Sequence, residues 1–169
     1  EPFNSLYKLD LDHISKPANP MINSGAIVTS SLIKGDHEER FKKVLDLTRK
    51  MAKNPEIGYN EEVYISEKTT GDKNKAMAYL MKARGSLEGD VEKILDAYFK
   101  QCAIEVDAVD LANIGAFIAN GCQGLDMGGA LSSKELTSLI TAIMANCGMY
   151  NYSGQYMAEV SIPSKSGVA

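Results

Sequence analysis

Apolar residues recur along this 169-residue chain with the three-to-four-residue step of an amphipathic helix, and alternation of the strand kind is rare. Asn19-Pro20 reads as an N-cap followed by proline at the first helical position, where its missing N–H costs nothing. Met21 to Ile33 then continues as an almost wholly apolar helix, expected to be buried on most sides. In His37 to Ala52 the residues Phe41, Val44, Leu45, Met51 and Ala52 share one stripe, opposite Glu38, Glu39, Lys42, Lys43, Arg49 and Lys50. That pattern predicts a surface helix packed by one side. Asn54-Pro55 and Gly58 break it. A helical stretch from about Glu61 to Ala83 is interrupted at Gly71-Asp72.

Asp90 caps the next predicted helix, whose stripe is Val91, Ile94, Leu95, Tyr98 and Cys102. Another helix from Asp107 ends near Asn120 at Gly121, and Gly124, Gly128 and Gly129 make the connection that follows loop-like. Ser132 and Glu135 form a capping-box pattern for Ser133 to Asn146, with Leu136, Leu139, Ile140, Ile143 and Met144 on one stripe. The small and β-branched stretch 161–169 reads as the start of a sheet strand. The chain is therefore expected to be mainly α and a single domain over 1–169, helical from 20 to 160. Opening at Glu1 and stopping at Ala169, it reads as cut from a longer sequence.

Composition narrows the class. With 44% apolar and 24% charged residues the chain is an ordinary globular one. A net charge of -4 without a Lys/Arg run argues against nucleic acid as a partner. No apolar run approaches the roughly 18 residues a membrane helix needs, and no leader precedes the first helix, so a cytoplasmic protein with no membrane partner is expected. Cys102, Cys122 and Cys147 have neither zinc-site nor disulfide-framework spacing and read as reduced thiols.

The inventory also limits the chemistry. With only His13 and His37, a Ser-His-Asp or Cys-His arrangement has little support, so proton transfer falls to Tyr, Lys or a carboxylate. No metal-ligand spacing and no glycine-rich phosphate loop appears, and no metal or cofactor is expected.

Four blocks in order carry a family resemblance. They are Lys16-Pro17-Ala18-Asn19-Pro20-Met21-Ile22-Asn23-Ser24-Gly25-Ala26-Ile27, Ser66 to Asn74, Tyr98 to Glu105, and Cys147-Gly148-Met149-Tyr150-Asn151-Tyr152-Ser153-Gly154-Gln155, the last leading to Lys165-Ser166-Gly167-Val168-Ala169. Together they resemble the serine-dependent glutaminases, amidohydrolases that share the α/β fold of β-lactamases and penicillin-binding proteins. The resemblance implies that the chain is the helical portion of that fold. It also implies hydrolysis of L-glutamine to L-glutamate and ammonia through a serine acyl-enzyme, and a homo-oligomer, dimer or tetramer.

The family's Ser-x-x-Lys nucleophile would lie upstream of the Asn-Pro-Met block. Ser5-Leu6-Tyr7-Lys8 and Ser31-Leu32-Ile33-Lys34 satisfy the bare pattern, but both fall in segments that align with non-catalytic parts of the family. The chain alone is therefore expected to be inactive.

By the same resemblance the substrate ligands are Asn23, Glu67, Asn74, Tyr98, Tyr150 and Val168. Tyr150 would relay a proton to departing ammonia, and the Val168 backbone N–H would serve the oxyanion. The chemistry suits free glutamine, whose α-ammonium needs an anion such as Glu67 and whose α-carboxylate needs neutral donors such as Asn23 and Asn74. Asn23 stands out because an amide inside an apolar run must find partners or cost about 1–3 kcal/mol. Tyr98 sits on an apolar stripe, where a structural tyrosine is the ordinary reading. For Tyr150 to move a proton near neutrality, its phenol needs a lysine ammonium nearby. Two other readings stay open: a serine acyl-transfer enzyme acting on another amide or lactam, which Glu67 would disfavour, and a helical interaction unit without activity.

Overall fold

The computed structural model describes residues 16–124 and 132–167. Their helices, in chain order, are α1 (Asn23–Ser31), α2 (His37–Ala52), α3 (Glu61–Thr70), α4 (Asp72–Ala83), α5 (Val91–Cys102), α6 (Ala108–Ala119) and α7 (Ser133–Cys147). A short 3-10 turn (Tyr150–Tyr152) then leads into α8 (Ser153–Val160). Side-chain caps set most of the starts. Asp36 and Glu39 close a capping box on α2, Asp107 and Asp110 do so on α6, and Ser132 and Glu135 on α7. The Asn60 and Asp90 side chains each accept two N–H groups, at the starts of α3 and α5. Each cap satisfies donors that a helix N-terminus would otherwise leave unpaired.

The first helix differs from its sequence reading. Asn19 does cap, but its Oδ1 takes the N–H groups of Met21 and Ile22, at 2.9 and 3.2 Å, so the chain makes a separate turn first. The helix proper begins at Asn23 and ends at Ser31, shorter at both ends than the apolar run. It is also less buried than expected: Leu32, just past its end, is 76% exposed. Gly25 is obligatory, because a Cβ there would lie 1.9 Å from the Asn19 carbonyl oxygen.

Helix α5 is the axis of the domain, packing against α1, α2, α3 and α4. Its buried Val91, Ile94, Leu95, Tyr98 and Phe99 meet Ile27, Tyr64, Met77 and Met81 in the main core. The predicted interruption at Gly71 separates α3 from α4. A Cβ at that position would come within 2.8 Å of the Phe99 ring, so only glycine lets the junction press against α5. A smaller core of Phe41, Leu45, Ala52 and Ile57 lies under α2, against which α6 packs.

No strand forms among the described residues, whose one β feature is an isolated bridge between Tyr59 and Ile104. Residues 161–167, expected to begin a strand, are irregular there. A strand needs a paired neighbour, and beyond its bonds to α8 this stretch is tied to another segment's backbone through Ser166, whose N–H and hydroxyl both donate to Gly148 O, at 2.9 and 3.3 Å. The α7 stripe also departs from expectation. Leu139 is 51% exposed, none of the five stripe residues is buried, and the helix packs chiefly on α8. No helix among the described residues is long and apolar enough to cross a membrane.

Candidate active site

Five of the six sequence-predicted site residues lie among the described ones; Val168 lies outside them. Three are joined by hydrogen bonds. Tyr150, on the turn after α7, donates from its hydroxyl to Asn23 Oδ1 at 3.1 Å, across 127 positions of sequence. Asn23, the first residue of α1, donates from Nδ2 to Asn74 Oδ1 on α4 at 3.0 Å. The amide that looked out of place in the apolar run thus finds its partners at the helix entrance.

Tyr98 and Glu67 complete the group. Tyr98 is 8% exposed on α5, and burial pushes its phenol up, with Cys102, Tyr150 and Glu67 adding to the effect. Glu67 is half-buried on α3, close enough for its charge to be felt at both Tyr98 and Cys102. The group therefore gathers a carboxylate, two amides and two phenols from α1, α3, α4, α5 and the turn before α8.

Tyr150 is held in an uncommon way. Its φ is 52°, the left-handed region that a bulky aromatic residue seldom adopts. Ser153 clamps it: the buried hydroxyl donates to the Tyr150 carbonyl at 2.8 Å and accepts the Met149 N–H at 3.0 Å. Gly148 brings the 163–167 stretch alongside, since a Cβ there would lie 1.8 Å from the Ser164 carbonyl oxygen. Strain kept by such surroundings is a feature of functional sites.

Two further residues lie near the site, Lys165 from the Lys165-Ser166-Gly167 block and Cys102 from the apolar stripe of α5. The Lys165 ammonium sits over the Tyr150 ring, 4.9 Å from its centre, and the surrounding protein lowers its pKa. Burial still pushes the Tyr150 phenol up, with Cys102 adding to it. Cys102 is the second. Solvent reaches the residue, yet enough protein surrounds the thiol to push it up to about 11, opposed by a hydrogen bond with Tyr98 and aided by Glu67. The sequence held a signal for it, four positions after Tyr98 on the same stripe. Lys165 stood in the last family block, and its approach to the Tyr150 ring is set by the fold.

Behind Glu67 an ionic network ties α3 to α5. Lys68 Nζ donates to Asp96 Oδ1 at 2.8 Å and to the Tyr64 hydroxyl at 2.9 Å, and Tyr64 donates to Asp96 Oδ1 at 2.5 Å. Lys100 reaches Glu38 at 2.6 Å and Asp96 Oδ2 at 3.3 Å. Burial pushes the Asp96 carboxyl up, but the hydrogen bonds from Lys68, Tyr64 and Lys100 outweigh it and hold the group at about 2. His37, Glu38 and Asp96 also place ligand atoms within 4.8 Å of one another. The Lys100 ammonium bridges the two carboxylates, supplying the positive charge that a cation there would bring.

Ser31 and Lys34 do not read as a nucleophile pair, because the Ser31 hydroxyl donates to the Val28 carbonyl within its own helix, at 2.7 Å. Ser5 to Lys8 lies outside the described residues.

A protein-family model described as Glutaminase matches residues 1–169. Among curated relatives, a glutaminase of Clostridioides difficile (strain 630) is 52% identical over 169 residues, covering 99% of this chain and 55% of the relative. Glutaminase 2 of Clostridium perfringens (strain 13 / Type A) is 50% identical over 169 residues, with the same coverage of 99% and 55%. A crystal structure of a Bacillus glutaminase matches with a TM-score of 0.87 at 36% identity, over 99% of this chain and 56% of that one. The structure of Mglu in its glutamate form matches with a TM-score of 0.85 at 30% identity, over 97% of this chain and 38% of that one. The chain spans about half the length of the curated relatives it matches.

Proposed function

The chain belongs to the glutaminase family, and on that premise we propose that its protein hydrolyses L-glutamine to L-glutamate and ammonia. In this reading a serine hydroxyl gives up its proton as its oxygen attacks the γ-carboxamide carbon, the amide nitrogen takes that proton as the C–N bond breaks and leaves as ammonia, and water then hydrolyses the glutamyl ester. The described helices are the helical portion of a β-lactamase-like fold. The observation that carries the proposal is the hydrogen-bonded chain from Tyr150 through Asn23 to Asn74, with Tyr98 close enough to feel both Tyr150 and Glu67.

Glu67 takes the α-ammonium of the substrate, and Asn23 and Asn74 face its α-carboxylate. Tyr98 closes the site, and Tyr150 passes the proton between nucleophile and leaving group, favoured by the Lys165 ammonium over its ring. Val168 offers its backbone N–H to the oxyanion. The reading extends to a homo-oligomer in the cytoplasm, which sedimentation and cell fractionation test.

Ammonia release from glutamine, assayed on the protein at its full natural length, is the direct test. Glu67→Gln is expected to raise KM at least tenfold, about 1.4 kcal/mol of ground-state binding, with a smaller change in kcat. Tyr150→Phe is expected to lower kcat about a hundredfold, with KM little changed. Glu67→Gln with an unaltered KM, or Tyr150→Phe with a near-normal kcat, would remove that residue from its role.

A further inference from the structure

The bonds joining Tyr150, Asn23 and Asn74 have a direction. Tyr150 has one hydroxyl hydrogen, and it goes to Asn23 Oδ1 at 3.1 Å. Asn23 in turn spends an Nδ2 hydrogen on Asn74 Oδ1 at 3.0 Å. A carboxamide is two-faced, with an acceptor on one side and two donors on the other. Turned over, Asn23 would point its NH2 at the phenol oxygen and make Tyr150 the acceptor. The choice between these arrangements is made one residue further away, because the Asn23 nitrogen is fixed by the Asn74 carbonyl.

Asn74 is well placed to enforce that choice. It lies in the first turn of α4, just after the Gly71 junction that presses on Phe99, so its backbone is anchored to the main core. Asn23 opens α1 and is flanked by the buried Ile22, Ser24 and Gly25, so its backbone is equally fixed. What remains adjustable is amide orientation alone.

We propose that Asn74 is a positioning residue for Tyr150, acting through Asn23: it keeps the Asn23 carbonyl on the phenolic hydrogen and so leaves the Tyr150 oxygen lone pairs facing the site. In that state Tyr150 receives a hydrogen bond from a donor in the site, as a group must that stands next to a nucleophile hydroxyl or an ammonium. The catalytic meaning of this state rests on the glutaminase reading, whereas the hydrogen-bond polarity does not. Asn74 keeps its own Nδ2 donors for the substrate carboxylate, so the two roles coexist.

The polarity has a measurable sign. A carbonyl that accepts the phenolic hydrogen stabilises neutral tyrosine and raises its pKa, whereas an NH2 donating to the oxygen stabilises phenolate and lowers it. The other groups that bear on Tyr150 are the Lys165 ammonium over its ring, Cys102 and Tyr98, with Glu67 beside the last two. None is altered by substitution at Asn74.

The experiment follows the tyrosine 13Cζ resonances of the full-length protein through an alkaline pH titration, with Tyr150 identified by the signal lost in Tyr150→Phe. Asn74→Leu, similar in size but without an acceptor, is expected to lower the Tyr150 midpoint by about one pH unit. Asn74→Asp, which still accepts from Asn23, keeps the midpoint at or above that of the unsubstituted protein. Asn74→Ala gives the same fall if the leucine variant does not fold. An unmoved Tyr150 midpoint in a folded Asn74→Leu or Asn74→Ala protein overturns the proposal. A lowered midpoint with an unchanged pH profile of ammonia release supports the positioning and counts instead against Tyr150 in the glutaminase chemistry.

Discussion

Helices α1 to α5 and helices α6 to α8 put their apolar residues to different ends. In the first group the pattern is consumed: Phe99 is 1% exposed, and Ile27, Met77, Ile94 and Leu95 are buried around it. In the second it is left open. Ala108, Leu111, Ala112, Gly115, Ala116 and Ala119 all lie on one exposed face of α6, with Leu111 61% exposed, and α7 buries only Cys147. The contrast teaches that periodicity tells which face of a helix is apolar and not what covers it. It also divides the site, since Asn23, Glu67, Asn74 and Tyr98 stand on the packed helices and Tyr150 is carried by the open ones.

Truncating one side chain in each region measures that contrast. Phe99→Ala should cost about 3–5 kcal/mol in chemical denaturation, because it empties a buried site and frees the Gly71 junction. Leu139→Ala on α7 should stay within about 0.5 kcal/mol, as an exposed substitution does. Equal losses at the two positions would mean that α7 is as closely packed as α5.

Acid provides a test confined to the packed region. The Asp96 carboxyl is held at about 2, below its ordinary value near 3.8, so its contribution is full above about pH 4. It is lost as the pH falls through about 2, where the folded group takes up its proton. The contribution is about 1–2 kcal/mol after allowing for the half-exposed Lys68. An Asp96→Asn protein should therefore be less stable at neutral pH and show a flatter decline between pH 4 and 2. An identical acid profile would put the acid sensitivity elsewhere.

A smaller effect is expected in the open region. Ser153→Ala removes the clamp on the left-handed Tyr150 at a cost of about 1 kcal/mol. It should lower kcat more than stability, because what it loosens is the placement of the phenol. Loss of stability with an unaltered kcat would show that Tyr150 is fixed by other contacts.

Much of the fold was legible because its signals are local. Asp90 and Ser132 cap their helices as their sequence pattern predicts, Asp36, Asn60 and Asp107 do so by the same bonds to residues two or three positions on, and Gly71 breaks the helical stretch where expected. The start of α1 differs from the sequence reading because Asn19 caps a preliminary turn, and residues 161–167 of the strand expected over 161–169 are irregular because pairing is not a local property. For the site, residue types and family blocks pointed to Asn23, Glu67, Asn74, Tyr98 and Tyr150. Lys165 over the Tyr150 ring and the Ser153 clamp arise from a chain reversal after α8 and a strained turn, and neither leaves a trace in periodicity.

The proposed function has both regions supplying one site for the charged end of glutamine. Its most direct test is a titration of the full-length protein with L-glutamine, followed through the tyrosine ring resonances. Tyr98 and Tyr150 should shift together with a single apparent Kd, while Tyr79, which is exposed and bonded to Glu92, stays where it is. Shifts with separate midpoints for Tyr98 and Tyr150, or no shift at either, would contradict it.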